Sequence, residues 1–381
     1  MSESPDGAKS ALPFDDPKNY WGQFVYRTVL RYAGQIDEWI LWNEPDFRPD
    51  DPGGADASTW MGSPGEFAQL LKVGYLAAKK ANPRVVISFP ATSYWADEIS
   101  RPKRPQFYDR VMAELARAPG AAANGFYHDA VALNLYGNPD DVLRVHSIFE
   151  AIQRRYGLTK PVWLTEFNTI PLDDPQAPCG RQLAARRSAA SLDQQADYVV
   201  QAAALAAAAG YERIQFFQMA DGDACKDQMW GLTRADGTRR PAFDALRTTV
   251  GMLAGYSQAS FVPLVREHVR RSSWPNDPAA YDANWQVYQV IFDKPGKQRI
   301  TVLWSGDGGR PLGVRVAKSG ERGWLIDALG RPQPLVVRDG SWEFQLAPAA
   351  ARQVGGEVDD PSAYHVIGGR PVFLIEHGVA Q

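Results

Sequence analysis

Two glutamates in this chain follow short apolar runs, and a carboxylate in such a position can do chemistry. Glu44 lies in WNEPDF directly after the run EWIL, and Glu166 lies in WLTEFN after the run PVWL. A single carboxylate after a strand is usually a helix cap or a solvated loop residue, but the five specific residues Trp42 to Asp46 favour a functional role. Together the two carboxyl groups form the pair that acid catalysis and nucleophilic attack require.

Hydrolysis of a glycosidic bond is the reaction that such a pair suits. One carboxyl group protonates the leaving oxygen, and the other, ionised, attacks the anomeric carbon. Net retention requires the two groups about 5 to 5.5 Å apart, whereas inversion requires about 6.5 to 9.5 Å. The sequence therefore predicts a glycosidase, provided that its fold brings the two glutamates together.

The pattern between residues 35 and about 250 indicates how the glutamates are positioned. Short β-rich runs alternate there with Ala- and Leu-rich helical stretches, which is typical of βα units and a parallel sheet. We therefore expect an α/β fold, a (β/α)8-type barrel whose active face lies at the carboxyl ends of the strands. The predicted strands are 38–42, 85–89, 130–135, 161–164 and 213–218. The predicted helices are 20–32, 66–81, 106–116, 140–156, 192–209 and 242–253.

After about residue 255 the pattern changes to alternating strands separated by Gly, Asp and Pro turns, which predicts an antiparallel β-sandwich. The domains are accordingly predicted at 1–254, the catalytic barrel, and 255–381, the sandwich. Aromatic residues alternating in a sandwich usually belong to its core, although carbohydrate binding by this domain stays open. Its tryptophans are Trp274, Trp285, Trp304, Trp324 and Trp342.

The two motifs resemble those of the clan A retaining glycoside hydrolases. Asn-Glu-Pro follows the fourth barrel strand in that clan, and Thr-Glu-Phe follows the seventh. Residues 13 to 250 resemble, more loosely, the bacterial members near the β-xylosidase and α-L-iduronidase family. The resemblance implies that Glu44 is the acid/base and Glu166 the nucleophile. It also implies that Asn43 binds the sugar 2-hydroxyl.

The resemblance suggests further substrate-binding residues. Tyr136 occupies the place of a tyrosine that hydrogen-bonds the nucleophile in the clan, and Asn134 stands where many relatives carry a histidine. Trp230 follows the last barrel strand and is a candidate stacking platform for a sugar ring. Relatives often have a tryptophan on that strand itself, so Gln218 or Asp221 is an alternative residue facing the site.

The number of residues before the first motif does not fit a complete barrel. Three βα units precede the Asn-Glu-Pro strand in the clan, and they need on the order of 90 residues. Only 34 residues precede Gln35. We therefore expect an incomplete barrel with strands four to eight. Truncation of a longer enzyme is the favoured explanation; a complementing chain that supplies the missing strands and a homodimer are the others.

Composition excludes several kinds of partner. The chain has 381 residues, with 41 basic and 44 acidic side chains, and a net charge of −3 provides no attractive field for nucleic acid or anionic lipid. No signal peptide or membrane span is predicted, so secretion or a periplasmic location would belong to a full-length form. The predicted partner is thus a carbohydrate substrate, without nucleic acid or membrane.

No cofactor and no metal are predicted, because the histidines show no ligand spacing. These are His128, His146, His268, His365 and His377. The two cysteines, Cys179 and Cys225, are either unrelated thiols or a single bridge between two loops. Two alternative functions stay open: a catalytically silent fragment or carbohydrate-binding or assembly module derived from such an enzyme, and a coincidence of motifs on a doubly wound α/β domain.

Overall fold

The computed structural model describes residues 12–51, 58–100, 102–171, 173–176, 189–222, 229–264, 286–306, 310–349 and 367–379. Both cysteines, His268, His365, Trp274 and Trp285 lie outside these residues. The chain divides into two compact units, residues 1–134 with 145–165 and residues 135–144 with 166–381. The predicted domain boundary after residue 254 stays a prediction. No helix in the described part of the chain is long and apolar enough to cross a membrane.

The five strands predicted before residue 255 form one parallel sheet, as in half of a (β/α)8 barrel. All five strands expected before residue 255 are present, but the first ends at Ile40 and the last at Ile214, short of the predicted ends at 42 and 218. The central strands are buried along most of their length and are rich in apolar residues, as expected of a parallel sheet that is covered on both faces. The strands are β1 (Glu38–Ile40), β2 (Val86–Thr92), β3 (Ala130–Tyr136), β4 (Val162–Asn168), β5 (Ile170–Pro171), β6 (Ala189–Ala190) and β7 (Arg213–Ile214). The sheet order is β1-β2-β3-β4-β7, and β5 pairs with β6.

The predicted helices are all present, with bounds that differ by no more than two residues. Local signals explain their ends. Ser63 with Glu66, and Ser191 with Gln194, form capping boxes, and Gly210 ends its helix in the left-handed conformation with φ of 91°. The helices are α1 (Tyr20–Arg31), α2 (Pro64–Ala81), α3 (Trp95–Ile99), α4 (Phe107–Arg117), α5 (Asp141–Arg155), α6 (Leu192–Ala209) and α7 (Pro241–Leu253). The short helix α3 and a 3-10 turn at Ala122–Tyr127 were not predicted.

Strand β1 forms one end of the parallel sheet. Among the described residues no strand pairs with its outer edge, and Ile40 in this strand is 39% exposed. The incompleteness of the barrel, and a homodimer or complementing chain to fill it, stay predictions.

The first unit buries helix α1 against helix α2 beneath the start of the sheet. Val25 and Val29 pack with Ala77 and Ile87 in one core cluster. The indole nitrogen of Trp21 donates to the backbone oxygen of Leu70 at 2.9 Å. This packing fixes the strand that leads to Glu44.

The second unit contains two antiparallel sheets that form the expected sandwich. A five-stranded sheet has the order β12-β15-β10-β9-β8, and a three-stranded sheet has the order β11-β14-β13. Their strands are β8 (Gln258–Phe261), β9 (Val287–Lys294), β10 (Gln298–Ser305), β11 (Leu312–Ala317), β12 (Arg322–Asp327), β13 (Val336–Arg338), β14 (Ser341–Leu346) and β15 (Val372–His377). Leu303, Leu325, Trp342, Phe344 and Leu374 belong to the core cluster that both sheets share.

Candidate active site

Glu44 follows strand β1 in an uncommon backbone conformation. Its backbone nitrogen donates to the oxygen of Ala91 in β2 at 2.8 Å, and Asn43 forms a parallel bridge to the same residue. The φ angle of Glu44 is 45°, in the left-handed region that residues with a side chain rarely adopt. Such strain persists only where neighbouring contacts enforce it, and it often accompanies function.

Thr59 supplies part of that enforcement. Its hydroxyl lies 2.6 Å from the backbone oxygen of Asn43 and 3.0 Å from that of Glu44. The indole nitrogen of Trp42 donates to the same hydroxyl at 3.2 Å. The loop before helix α2 therefore holds the Asn-Glu backbone from the side.

Asn134, whose role the sequence left open, contacts the carboxylate of Glu44. It is fully buried, and its amide nitrogen donates to Oε1 of Glu44 at 3.0 Å and to Oδ1 of Asn43 at 3.2 Å. The hydroxyl of Thr165 donates to the amide oxygen of Asn134 at 2.9 Å, which fixes the orientation of the amide. Asn43, Glu44 and Asn134 thus form one hydrogen-bonded group, the Glu44 cluster.

Asp46 ties the Glu44 loop to the loop after β2. Its carboxylate is 1% exposed and accepts hydrogen bonds from the backbone nitrogen of Ser93 at 3.0 Å and from the Ser93 hydroxyl at 2.7 Å. Burial raises the pKa of Asp46 to about 7, the negative charge of Asp97 raises it further, and the hydrogen bonds from Ser93 oppose both. The loop that carries Glu44 therefore rests on a buried group that titrates near neutral pH.

Asp46→Asn should change how stability depends on pH. The pKa of Asp46 is about 7 in the folded protein against 3.8 for the ordinary side chain, so the folded state binds the proton more tightly. Its stabilising contribution is complete below about pH 4 and is lost as the pH rises to 7. An uncharged side chain avoids that loss. The free energy of unfolding of the variant, relative to wild type, should therefore rise by about 2 to 4 kcal/mol between pH 4 and 7.

Urea denaturation at several pH values measures this difference. Asp50→Asn is the matched control, because it removes a carboxylate from an exposed residue of the same loop. A difference between Asp46→Asn and wild type that stays constant from pH 4 to 7 contradicts the raised pKa of Asp46.

Glu166 follows the same pattern at the end of strand β4, in the second unit. The hydroxyl of Tyr136 donates to Oε2 of Glu166, as the clan resemblance implied. The ring of Tyr136 packs against Trp230, with 4.7 Å between centroids, and against Phe217, with 6.5 Å. Trp230 thus lies against the tyrosine that contacts Glu166. We refer to Tyr136, Glu166, Trp230 and Phe217 as the Glu166 cluster.

Asn168 joins the loop after β7 to strand β4. Its amide nitrogen donates to the backbone oxygen of Phe217 at 2.5 Å and to that of Trp230 at 2.6 Å. The backbone of Gln218 pairs with Trp230 and Leu232, and the peptide bond between Phe217 and Gln218 is cis. These contacts place the aromatic residues of the Glu166 cluster relative to strand β4.

Asp221 is paired with a buried arginine. Both of its carboxylate oxygens accept from the guanidinium of Arg240, at 2.7 and 2.8 Å, and Oδ1 also accepts from the backbone nitrogen of Gly231 at 2.8 Å. Arg240 is itself 1% exposed and donates to Asp174 at 2.8 Å. Asp221 therefore anchors the loop that carries Trp230.

The sequence named most members of the two clusters but missed their supports. Asn168 lies two residues after Glu166 and thus on the same side of the strand, a spacing that could have revealed it. Asp46 belonged to the quoted motif without a role. Thr165 likewise belonged to the quoted Thr-Glu-Phe motif without a role, and Thr59 carried no recognisable signal. In the described residues no group of three or more His, Cys, Asp or Glu side chains is arranged to hold a metal ion.

Comparison with known proteins shows which solved structures share this fold. No protein-family profile and no curated protein matches the sequence. Solved structures do match. A family 39 glycoside hydrolase from Bacteroides cellulosilyticus aligns with a TM-score of 0.59 and 17% identity, over 94% of this chain and 62% of that chain. This chain thus spans less than two thirds of the length of that protein.

Two other structures agree with the first. A family 51 α-L-arabinofuranosidase from Bifidobacterium longum has a TM-score of 0.56 and 13% identity, over 89% of this chain and 66% of that chain. A glucosidase from Croceicoccus marinus has a TM-score of 0.55 and 13% identity, over 95% and 75%. At these identities the likeness concerns the fold. The chain has the fold of the clan A glycoside hydrolases, the group that its two glutamate motifs resemble.

Proposed function

We propose that this protein is a retaining glycoside hydrolase that cleaves O-glycosidic bonds of oligo- or polysaccharides by double displacement. One observation carries the proposal: Glu44 follows β1 and Glu166 lies near the carboxyl end of β4 in the same parallel sheet, and each carboxylate accepts a hydrogen bond from a neutral side chain. The carboxyl ends of such strands are where barrel enzymes build their active sites.

In the first step Glu166 attacks the anomeric carbon and forms a covalent glycosyl ester. Glu44 gives its proton to the leaving oxygen, so that the aglycone departs as a neutral alcohol. The Tyr136 hydroxyl donates to the attacking carboxylate and keeps it oriented toward the sugar. The rings of Trp230 and Phe217 pack beside that tyrosine and provide the apolar surface on which a sugar ring can stack.

In the second step Glu44, now ionised, removes a proton from water, and the resulting hydroxide displaces Glu166. Two inversions give net retention. The amide of Asn134 donates to Oε1 of Glu44 and keeps that carboxylate in position through both protonation states. Oδ1 of Asn43 accepts a hydrogen bond from Asn134. The amide nitrogen of Asn43 is therefore the group that can donate to the sugar 2-hydroxyl.

The stereochemistry of the first product tests the proposal. The substrates are 4-nitrophenyl β-D-xyloside, β-D-glucoside and α-L-arabinofuranoside, chosen because similar folds occur in a glucosidase and an arabinofuranosidase. Proton NMR within the first minutes of hydrolysis should show a sugar with the anomeric configuration of the substrate, before mutarotation. First formation of the opposite anomer would exclude double displacement.

The alternative is a catalytically silent module that derives from such an enzyme. It predicts no turnover of any aryl glycoside, together with measurable binding of oligosaccharides. Isothermal titration with xylo- and arabino-oligosaccharides, run on the same preparation, separates this outcome from an inactive or unfolded sample. The domain division at 254 and 255 belongs to the proposal in either case, with the barrel as the part that acts on the sugar.

A further inference from the structure

A surface cavity of about 340 Å³ lies on the outer face of the five-stranded antiparallel sheet in the second unit. Its floor is formed by strands β10, β12 and β15, and residues Gly251 and Met252 at the end of helix α7 form one wall. None of its lining residues belongs to the Glu44 or Glu166 clusters. Its volume lies at the lower end of the range, about 300 to 1,000 Å³, that small-molecule sites occupy.

Register places an apolar row across the floor of this cavity. Trp324 in β12 pairs with Ile375 in β15, which pairs in turn with Ile300 in β10. The neighbouring residues Leu325 and Leu374 point the other way and belong to the sandwich core. The indole of Trp324 therefore stands on the face of the sheet that the core does not use.

Trp324 is exposed where the other described sandwich tryptophans are buried. It is 50% exposed, against 1% for Trp304 and 4% for Trp342. A lone exposed aromatic residue is common on protein surfaces, but this one borders a cavity with polar groups beside it. That combination is the usual composition of a ligand site.

A polar row runs beside the apolar one. His377 in β15 pairs with Gln298 in β10, which pairs with Lys294 in β9, and all three line the cavity. The amide nitrogen of Gln298 lies 3.2 Å from Nε2 of His377, a distance at which the ring tautomer with its proton on Nδ1 accepts from the amide. The pair then offers one acceptor, Oε1 of Gln298, and one donor, Nδ1–H of His377. Neither atom has a hydrogen-bond partner among the described residues.

We propose that this cavity binds a neutral carbohydrate chain at a second site, apart from Glu44 and Glu166. A pyranose has a face of C–H bonds that stacks on a flat ring such as Trp324, and a rim of hydroxyls that both donate and accept. Gln298 and His377 together offer one acceptor and one donor. The single cation, Lys294, already donates to the backbone oxygen of Met252 at 2.7 Å, which favours a neutral ligand over an anionic one.

Affinity electrophoresis in native gels that contain soluble arabinoxylan, linear arabinan or hydroxyethylcellulose tests the proposal. Wild type should be retarded in at least one gel, and Trp324→Ala should lose the retardation, with an apparent Kd raised about tenfold or more. Trp324→Phe should keep part of it, and Gln298→Ala should weaken it. Tyr20→Ala is the matched control, because Tyr20 is a still more exposed aromatic residue of the first unit, at 67%.

Two readouts separate this site from the proposed catalytic one. Glu166→Gln should be retarded like wild type, and Trp324→Ala should hydrolyse a short aryl glycoside at the wild-type rate if wild type hydrolyses it. Equal mobility of wild type and Trp324→Ala in all three gels overturns the proposal. Loss of retardation in Glu166→Gln also overturns it, because the polysaccharide would then bind at the catalytic cleft. The gel result holds whether or not the chain is a hydrolase.

Discussion

Glu166→Gly should lower kcat/KM on aryl glycosides by about a thousandfold or more, and sodium azide should restore turnover. Without the carboxylate no covalent ester forms, whereas azide fits the space that the side chain leaves and attacks the anomeric carbon directly. One displacement inverts the centre, so the glycosyl azide should have the configuration opposite to that of the substrate. Mass spectrometry and NMR of the product measure both effects.

Glu44→Gly provides the matched comparison, since it removes the other carboxylate of the proposed pair. A substrate with a dinitrophenyl leaving group needs no protonation, so the variant should still form the ester with Glu166 on that substrate. Azide then attacks the ester, and the product should be the azide of retained configuration. The two variants should thus give opposite anomers from one substrate.

The control for the azide experiment is Glu212→Gly, an exposed glutamate shortly before strand β7. It should keep wild-type kinetics and yield no glycosyl azide. Full activity of Glu166→Gly without azide, or an azide of retained configuration from that variant, would remove Glu166 from the nucleophile role.

Arg240→Met should lower the free energy of unfolding by about 3 to 5 kcal/mol, the largest stability effect that we expect of a single substitution. The guanidinium is buried and pairs with Asp174 at 2.8 Å and with Asp221 at 2.7 Å. Methionine fills similar space but leaves both carboxylates without this partner. Asp174 keeps its ion pair with Arg234, so the unpaired charge of Asp221 should dominate the loss.

Urea denaturation measures this effect, with Arg247→Met as the control from the same helix. The side chain of Arg247 is 65% exposed and pairs only across one helical turn with Asp244, so its loss should cost less than about 0.5 kcal/mol. Arg240→Lys should fall between the two, because an ammonium keeps the charge but not the forked geometry. Equal stability of Arg240→Met and Arg247→Met would show that the buried ion pairs contribute nothing net.

The helices were predictable because their apolar residues recur at regular helical spacing. Apolar spacing of three and four predicted the helices within two residues of their observed ends, and the structure adds capping boxes at Ser63 and Ser191 and a left-handed Gly210 at those ends. Strand β4 runs four residues beyond its predicted end, to Asn168. The prediction stopped too early because Glu166 and Asn168 are polar, and polar residues after an apolar run indicate a loop. Helix α3 and the turn at Ala122–Tyr127 were too short to produce a period.

The candidate site was predictable only where a motif named its residues. Glu44, Glu166 and Tyr136 came from the motifs and the clan resemblance, and the contact of Tyr136 with Glu166 agrees with that assignment. Asn134 could not be given a role, because its amide reaches Glu44, 90 residues away in sequence, across strand β2, which lies between β1 and β3 in the sheet. Thr59 contributes through one hydroxyl in a loop, which no local pattern identifies.

The left-handed backbone at Glu44 has a consequence for how relatives of this chain would diverge. At a φ of 45° glycine or asparagine is easier to accommodate than glutamate, so the glutamate costs stability on the order of 1 kcal/mol. A lineage that had lost turnover would gain by drifting to glycine or asparagine at this position. Retention of glutamate by related chains would therefore be a record of selection for catalysis, whereas loss of the residue would mark descendants that only bind.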